Sequence, residues 1–253
     1  IMVLDFEISS AIYESYSTNF RKSLNSDVII AGAGPSGLLA AGLLSKNGLK
    51  VTLLEKRLAL GGGIWGGAIG MPEIVIEKSF KTILSYLEIK PRPYKDNFLI
   101  VSAFELSAAL ILFAIKSGAI IHNLTYMEDL LLINKKVCGV VINKTFIGEN
   151  LPIDPLTLKC KAVVDATGHD AQGAVLLAKR GLIKSKMGDG VMDALSGEDF
   201  VVEKAGLIFP GLYLTGMSVC SYYGGPRMGP IFGGMLKSGE KISQVILKDL
   251  KKN

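Results

Sequence analysis

An α/β fold with a central parallel sheet is what this sequence predicts, on three observations. A short apolar run, Asp27 to Ala31, leads into Gly32-Ala33-Gly34-Pro35-Ser36-Gly37 and then into the Ala- and Leu-rich run Leu38 to Leu44. A second apolar strand, Lys50 to Leu54, follows and ends in Glu55. A third, Lys161 to Asp165, ends in Ala166-Thr167-Gly168. Strand, tight turn, helix and strand make a βαβ unit, whose crossover helix returns the chain to a parallel neighbour.

The glycines of the first turn have separate physical tasks. Gly32 permits the sharp turn, Gly34 lets a pyrophosphate approach the backbone, and Gly37 lets helix and strand pack closely. The helix then opens with free N–H groups aimed at an anion. Glu55 lies about 20 residues on, where a ribose hydroxyl is bound in such units. A glycine-rich turn without a ligand is the plainer alternative, and the matching acid weighs against it.

With 253 residues the chain can bury a substantial core, and it reads as one dinucleotide-binding domain, 1–253. In it, 27–57 is the first βαβ unit and 72–150 supplies inserted helices and strands. The net charge of +5 suits an anionic ligand such as a dinucleotide. The lysines are dispersed, with no basic arm, so no nucleic-acid partner is expected. Cys138, Cys160 and Cys220 are odd in number, widely spaced and without a C-x-x-C, which argues against a disulfide scaffold or a structural zinc site and fits a reducing cytoplasm. No run of 18 apolar residues occurs, so no membrane span is expected. The first residues carry Asp5, Glu7 and Glu14 in place of a basic stretch and an apolar core, so no secretion signal is expected, and the localisation expected is cytoplasmic.

The remaining elements follow in order. Ile8 to Arg21 has helical spacing. Gly61 to Gly70 holds six glycines in ten residues, with Trp65 among them. Such a segment cannot be regular structure without a heavy entropic cost, and it is expected to lie beside the dinucleotide site. Ile74 to Leu87 reads as helix, Pro91 and Pro93 as a loop, Phe98 to Val101 as strand, and Ala103 to Lys116 as a helix ending near Gly118. Ala119 to Asn123 reads as a strand in which His122 is a buried or edge histidine rather than a ligand. Leu130 to Ile133 and Val137 to Ile142 form a hairpin around Asn134-Lys135-Lys136, the start of an added β-meander layer. Ala171 to Arg180 reads as helix, with Asp170 as its cap or as an alternative metal ligand. Lys184 to Gly190 is a polar loop, 221–235 a second glycine-dense segment, and Met235 to Leu250 a helix with Lys248, Lys251 and Lys252 at its solvated end.

Three side chains stand out chemically. Asp154 and His169 put a carboxylate and an imidazole at the two ends of a strand segment, which suits Fe(II), Mn or Zn more than Mg. By itself such a pair is a weak metal signal. Arg227 is the one charge in its glycine- and proline-rich segment. A guanidinium there suits a small carboxylate through paired hydrogen bonds, the plainer alternative being a structural arginine that holds loop carbonyls.

Lys161 to Gly168 resembles the second nucleotide-side strand of two-dinucleotide-binding flavoproteins, and Gly211 to Met217 resembles their last strand, which normally closes with Gly-Asp. The fold implied is the Rossmann-like FAD/NAD(P)-binding, glutathione-reductase-like one. Met217 stands where those proteins place the acid that holds FAD, which counts against bound FAD. Taken together, Gly32 to Gly37, Glu55-Lys56, Gly61 to Gly70, Asp154-Pro155, Ala166 to Asp170 and Arg227 to Pro230 resemble the thiamine thiazole synthases. The archaeal and bacterial type looks closest, once described as ribulose-bisphosphate synthetases or ribose-1,5-bisphosphate isomerases. The resemblance runs from about residue 10 to 250.

That resemblance implies an activity. NAD is a substrate that loses nicotinamide; its ADP-ribose part becomes a ketone, glycine condenses with it as an imine, sulfur is added, and ring closure gives an adenylated thiazole carboxylate. It implies that Gly32, Gly34, Ser36, Gly37, Glu55, Lys56 and Gly63 hold the adenosine diphosphate portion, with Met127 and Met217 counted among the dinucleotide-site residues. It implies that Asp154 and His169 bind Fe(II), leaving open whether adjacent subunits share the site, that Arg227 holds the glycine carboxylate, and that the assembly is a homo-octamer. Fungal and plant members carry a sulfur-donating cysteine two residues before the aspartate. Pro152 stands there in this chain, so the expected donor is free sulfide. The alternatives are a flavin-dependent oxidoreductase of the geranylgeranyl-reductase-like type, a non-catalytic NAD-binding module, and the older sugar-phosphate isomerase assignment.

Overall fold

A computed structural model describes residues 4–146 and 154–251. Helix α1 (Asp5–Ser23) precedes β1 (Val28–Ala31), α2 (Pro35–Lys46) and β2 (Val51–Leu54). Then come β3 (Glu73–Glu77), α3 (Lys81–Tyr86), β4 (Arg92–Tyr94), β5 (Phe98–Ser102), α4 (Ala103–Lys116) and β6 (Ile120–His122). The long strands β7 (Thr125–Ile133) and β8 (Lys136–Lys144) are followed by β9 (Leu156–Lys159) and β10 (Ala162–Asp165). The last third holds α5 (Gln172–Lys179), α6 (Ala194–Lys204), β11 (Gly206–Phe209), β12 (Leu212–Leu214), α7 (Met217–Tyr223) and α8 (Gly233–Lys251).

The central sheet has the order β11-β12-β10-β1-β2-β6. Its strands are parallel except β11, which closes one edge antiparallel. β1, β2 and β10 are buried along their whole length, as parallel strands covered on both faces must be. The alternation of the strand sorts its side chains into two cores. Val28 and Ile30 enter a cluster with residues of α2, α4 and α8, while Ile29 and Ala31 enter a second cluster with Met127, Leu130, Val140 and Leu158 of the meander. The layers are therefore helices, parallel sheet, and the antiparallel meander β7-β8-β9. The Rossmann-like α/β architecture with an added meander is the observed fold.

The structure corrects three local expectations. Ile74 to Leu87 is not one helix. Its first part is β3, paired antiparallel with β5, because the β-branched run Ile74-Val75-Ile76 is stiff and alternates inward and outward. Only Lys81–Tyr86 is α-helical. The Pro91–Pro93 region holds the short strand β4 at the edge of a three-stranded sheet, where proline's missing N–H costs no ladder bond. Residues 217–223 form a helix that runs into the segment expected to be glycine-dense loop, and 194–204, for which the sequence carried no expectation, form another. Among the described residues no helix is long and apolar enough to cross a membrane.

Candidate functional site

The C-terminal edge of the parallel strands carries the Gly32–Gly37 turn after β1, Glu55 after β2 and His169 after β10, where open α/β sheets generally arrange their ligand sites. Gly32 has φ +105°, and a Cβ there would lie 2.3 Å from the Ala166 carbonyl oxygen, at the end of β10. A Cβ on Gly37 would meet the Gly32 carbonyl oxygen at 2.1 Å. These two glycines are demanded by the fold itself. Gly34 differs: nothing lies within 4 Å of the Cβ position, so its lack of a side chain leaves open space at the start of α2. Ser36, in the first turn of α2, is buried against Gly216, where a Cβ would come within 2.4 Å of the serine Oγ.

Glu55 is buried, and both carboxylate oxygens accept backbone hydrogen bonds, Oε2 from Ala33 N–H at 3.0 Å and Oε1 from Arg57 N–H at 2.8 Å. Each oxygen keeps a lone pair for a further donor. The glycine-rich segment lies where the sequence placed it. Gly61 N–H donates to the Ala33 carbonyl at 2.8 Å, and the Cβ position of Gly62 is 3.2 Å from the Gly34 Cα. Gly63 is exposed at the start of the short helical turn Ile64–Gly66. Lys56 pairs with Asp170 at 2.5 Å, both side chains half exposed. Asp170 therefore does not cap α5; Ala171, at φ +40°, stands at that position without a side-chain bond.

Met217 is the first residue of α7, directly after Gly216, and is buried in a cluster with Val201, Cys220, Met228 and Ile231. Met127 lies in the core between meander and central sheet, so its visible task is packing.

The other half of the site is built by loops. His169 is in the short helical turn Gly168–Asp170 after β10, and its Nδ1 is hydrogen-bonded to Asp189 Oδ2. The imidazole is half exposed. Arg227 is exposed, and its backbone is fixed on both sides: its N–H donates to the Val191 carbonyl at 3.0 Å, and its carbonyl accepts from Asp193 N–H at 3.0 Å. Among the described residues its guanidinium makes no ion pair, so its donors remain free for a ligand carboxylate.

Asp154 is exposed. Thr125 N–H donates to the Glu55 carbonyl at 2.9 Å, so the meander starts at the C-terminal end of β2. Thr125 faces Lys144, and Ile142 faces Leu156, in the meander's register. Asp154, just before β9, therefore belongs to the same edge of the sheet as Glu55. Pro152 lies outside the described residues. Among the described residues no cluster of three or more His, Cys, Asp and Glu side chains could hold a metal. A site made from His169 and Asp154 would thus offer a nitrogen and an oxygen donor and keep open positions, and the half-exposed ring engaged through Nδ1 fits such a role.

Three acids escaped the sequence reading, two of them buried. Asp165 ends β10, fully buried, and ties the turn to α5: its Oδ1 accepts from Thr167 Oγ1 at 2.6 Å and its Oδ2 from Gly173 N–H at 2.8 Å. Burial pushes its carboxyl above the usual range. Glu198 of α6 accepts from Gly234 N–H at 2.6 Å, at the start of α8, and burial pushes it up to about 7, with Glu77 and Asp199 adding to the rise. Asp189 sat in the segment read as a polar loop. Only its place between Gly188 and Gly190 marked it, and that pattern does not reveal a partner 20 residues away. His122 is buried as expected. Its Nε2 is 2.8 Å from Ser23 Oγ, and burial, with Lys144 nearby, lowers its pKa to about 4. Burial holds the thiols of Cys160 and Cys220 up at about 12.

The Thi4 family model matches residues 9–232. A thiamine thiazole synthase of Thermotoga maritima is 46% identical over 248 residues, covering 98% of each chain. That of Pyrococcus horikoshii is 44% identical over 251 residues, covering 99% of this chain and all of the other. The crystal structure of Thermovibrio ammonificans THI4 superposes with a TM-score of 0.95 at 37% identity, covering 99% of this chain and 100% of that one. The chain belongs to the Thi4 family, whose relatives named here are thiamine thiazole synthases.

Proposed function

We propose that this enzyme of thiamine thiazole formation converts NAD, glycine and sulfide into an adenylated thiazole carboxylate, with loss of nicotinamide and with Fe(II) as its metal. The observation that carries the reading is the meeting of two different half-sites at one sheet edge. One is an open glycine turn with a buried acid, Glu55, beside it. The other holds a half-exposed imidazole, His169, and a guanidinium, Arg227, with no ion pair among the described residues. The family match to thiamine thiazole synthases favours this use of the two halves over hydride transfer.

The chain's own residues then take distinct parts. The N–H groups of the Gly34–Gly37 turn and the start of α2 cradle the pyrophosphate. Glu55 accepts a ribose hydroxyl, and Lys56, Gly63 and Met217 complete the dinucleotide side. Arg227 holds the glycine carboxylate by paired, charge-assisted bonds and so points the amine toward the sugar carbon. His169 and Asp154 hold the metal. Fe(II), when bound, supplies open coordination that suits a soft anion such as sulfide.

The sulfur donor is free sulfide. Position 152 has no sulfur, the thiols of Cys160 and Cys220 are buried and held protonated, the form that is neither nucleophile nor leaving group, and Cys138 lies near the start of β8, away from the end that faces Leu156 and Asp154. The working assembly is a homo-octamer in the cytoplasm, and light scattering on the purified protein checks the subunit number. The central test is an anaerobic incubation with NAD, glycine, sulfide and Fe(II), read by mass spectrometry. Adenylated thiazole should form, with the protein mass unchanged and activity lost in Asp154→Ala and His169→Ala. A protein lighter by one sulfur with dehydroalanine would sink the sulfide assignment, and full activity in both variants would sink the metal site.

A further inference from the structure

We infer that Asp189 is the positioning residue of His169: its carboxylate holds the ring by Nδ1 so that Nε2 faces outward with its lone pair free. The inference rests on the proposed metal role of His169 and adds to it the group that sets the ring.

The geometry is specific. Asp189 Oδ2 is hydrogen-bonded to His169 Nδ1, and the two side chains are very unequally exposed, 17% for the aspartate and 56% for the histidine. A carboxylate only accepts, so in the neutral ring this contact puts the proton on Nδ1 and leaves Nε2 as the bare nitrogen. Histidines that bind metals regularly make such an outer contact, which fixes tautomer and orientation together. The second oxygen, Oδ1, is buried without a hydrogen-bond partner among the described residues. Burying a carboxylate oxygen unsatisfied is costly, and an exposed lysine or arginine partner would hold this acid more cheaply. The contact with His169 is therefore the feature that accounts for where Asp189 points.

The backbone around Asp189 shows how it is aimed. Residues 186–193 lie along 221–227 as a ribbon. Lys186 N–H donates to the Tyr222 carbonyl at 3.2 Å, Gly188 N–H to the Ser221 carbonyl at 2.9 Å, and Gly190 N–H to the Gly225 carbonyl at 2.7 Å. Arg227 and Asp193 continue it with their two bonds. Ser221 Oγ reaches across to the His169 carbonyl at 2.9 Å. One ribbon thus fixes the His169 backbone, the His169 ring and the Arg227 backbone. Asp189 joins the metal side of the site to its carboxylate side.

Two measurements test this. The chain has 2 histidines, so long-range 1H–15N NMR of the metal-free wild type, at a pH where the rings are neutral, resolves both, with His122→Gln as the assignment control. His169 should carry its proton on Nδ1 in the wild type and shift toward Nε2–H in Asp189→Ala. Co(II) titration followed by its visible absorption should show Asp189→Ala binding roughly 10–100-fold more weakly than wild type. Asp189→Asn, which keeps an acceptor oxygen, should fall between. A wild-type His169 protonated on Nε2 overturns the inference, and this result needs no folded variant. Equal Co(II) affinity in wild type and Asp189→Ala overturns it too. If instead wild type and His169→Ala bind Co(II) alike, the metal role of His169 fails, and the tautomer result alone decides what Asp189 does.

Discussion

The two halves of the site are made in opposite ways. Around Gly32 to Gly37 the ligand surface is backbone, shaped by missing side chains and locked to β10 and β2. Around His169 and Arg227 it is side chain, carried on loops that are pinned by backbone bonds outside the parallel sheet. At Gly32 and Gly37 the first half cannot be altered without disturbing the core, because the same atoms do both jobs, and Gly34 is its one open position among the three. The second can lose its chemistry while the fold stays whole. The difference teaches which substitutions report on folding and which on function.

The sharpest break comes inside the glycine turn itself. Gly32→Ala puts a methyl 2.3 Å from a backbone oxygen at a φ of +105°, so neither rotamer nor neighbour can give way. We expect a loss of about 4 kcal/mol or more, seen as insoluble protein or a collapsed melting temperature. Gly34→Ala meets nothing within 4 Å and needs no unusual backbone. Its melting temperature should stay near wild type while NAD binding, followed by calorimetry, weakens sharply. If Gly34→Ala binds NAD normally, the open space at Gly34 does not serve a pyrophosphate.

Arg227→Ala tests the other half. The side chain is exposed and makes no ion pair among the described residues, so unfolding should be unchanged. Losing the paired bonds to a carboxylate should cost about 2–3 kcal/mol, roughly a 30–150-fold fall in kcat/KM for glycine. Arg227→Lys should recover only part, since an ammonium cannot reproduce the fork. A variant with normal glycine dependence would return Arg227 to a structural role.

Two buried groups, one in each half, shift with opposed signs. His122, whose carbonyl accepts from Glu55 N–H, belongs to the turn half. Its pKa, lowered to about 4, means that stability present above 6.5 is lost as pH falls toward 4. Glu198, under the start of α8, has its pKa raised from 4.5 to about 7, so stability falls as pH rises across that window, by up to ~3 kcal/mol. Between about 4.5 and 6.5 the two slopes cancel. Glu198→Gln should remove one and uncover the other: its stability, from urea unfolding, should rise with pH over that range where wild type stays nearly flat. Parallel curves for the two proteins would show that Glu198 is not held neutral.

The same division explains what the sequence made legible. The turn half was readable because its determinants are local: three glycines and an acid at fixed spacing, with strands whose apolar runs report burial on both faces. The glycine-dense 61–70 loop was placed correctly for the same reason, since only close backbone approach explains so many glycines. His169 and Arg227 were visible as unusual residues, yet their partners were not, because Asp189 and the 186–193 ribbon meet them across 20 or more residues of intervening chain. Glu198 was missed because an acid within α6 looks like any solvent-facing helical acid until α8 covers it. Ile74 to Leu87 failed because a β-branched strand and a short helix abut, and their apolar residues read as one helical period.

The smallest expected effect lies at the seam between the halves. Lys56 follows Glu55 on the turn side, Asp170 follows His169 on the loop side, and they meet in an exposed ion pair. Exposed pairs contribute little, so a double-mutant cycle of Lys56→Ala and Asp170→Ala should give a coupling below about 1 kcal/mol in thermal unfolding. Low salt should raise it slightly and high salt erase it. NAD affinity should respond differently: on the proposed role of Lys56, a bound anionic dinucleotide would compete with Asp170 for its charge. Asp170→Ala, freeing the lysine, should leave NAD affinity unchanged or modestly tighter, while Lys56→Ala weakens it. Equal losses from both would mean that the pair itself, rather than the lysine, is what the dinucleotide needs, and the two halves would then be coupled through their surface as well as through their backbone.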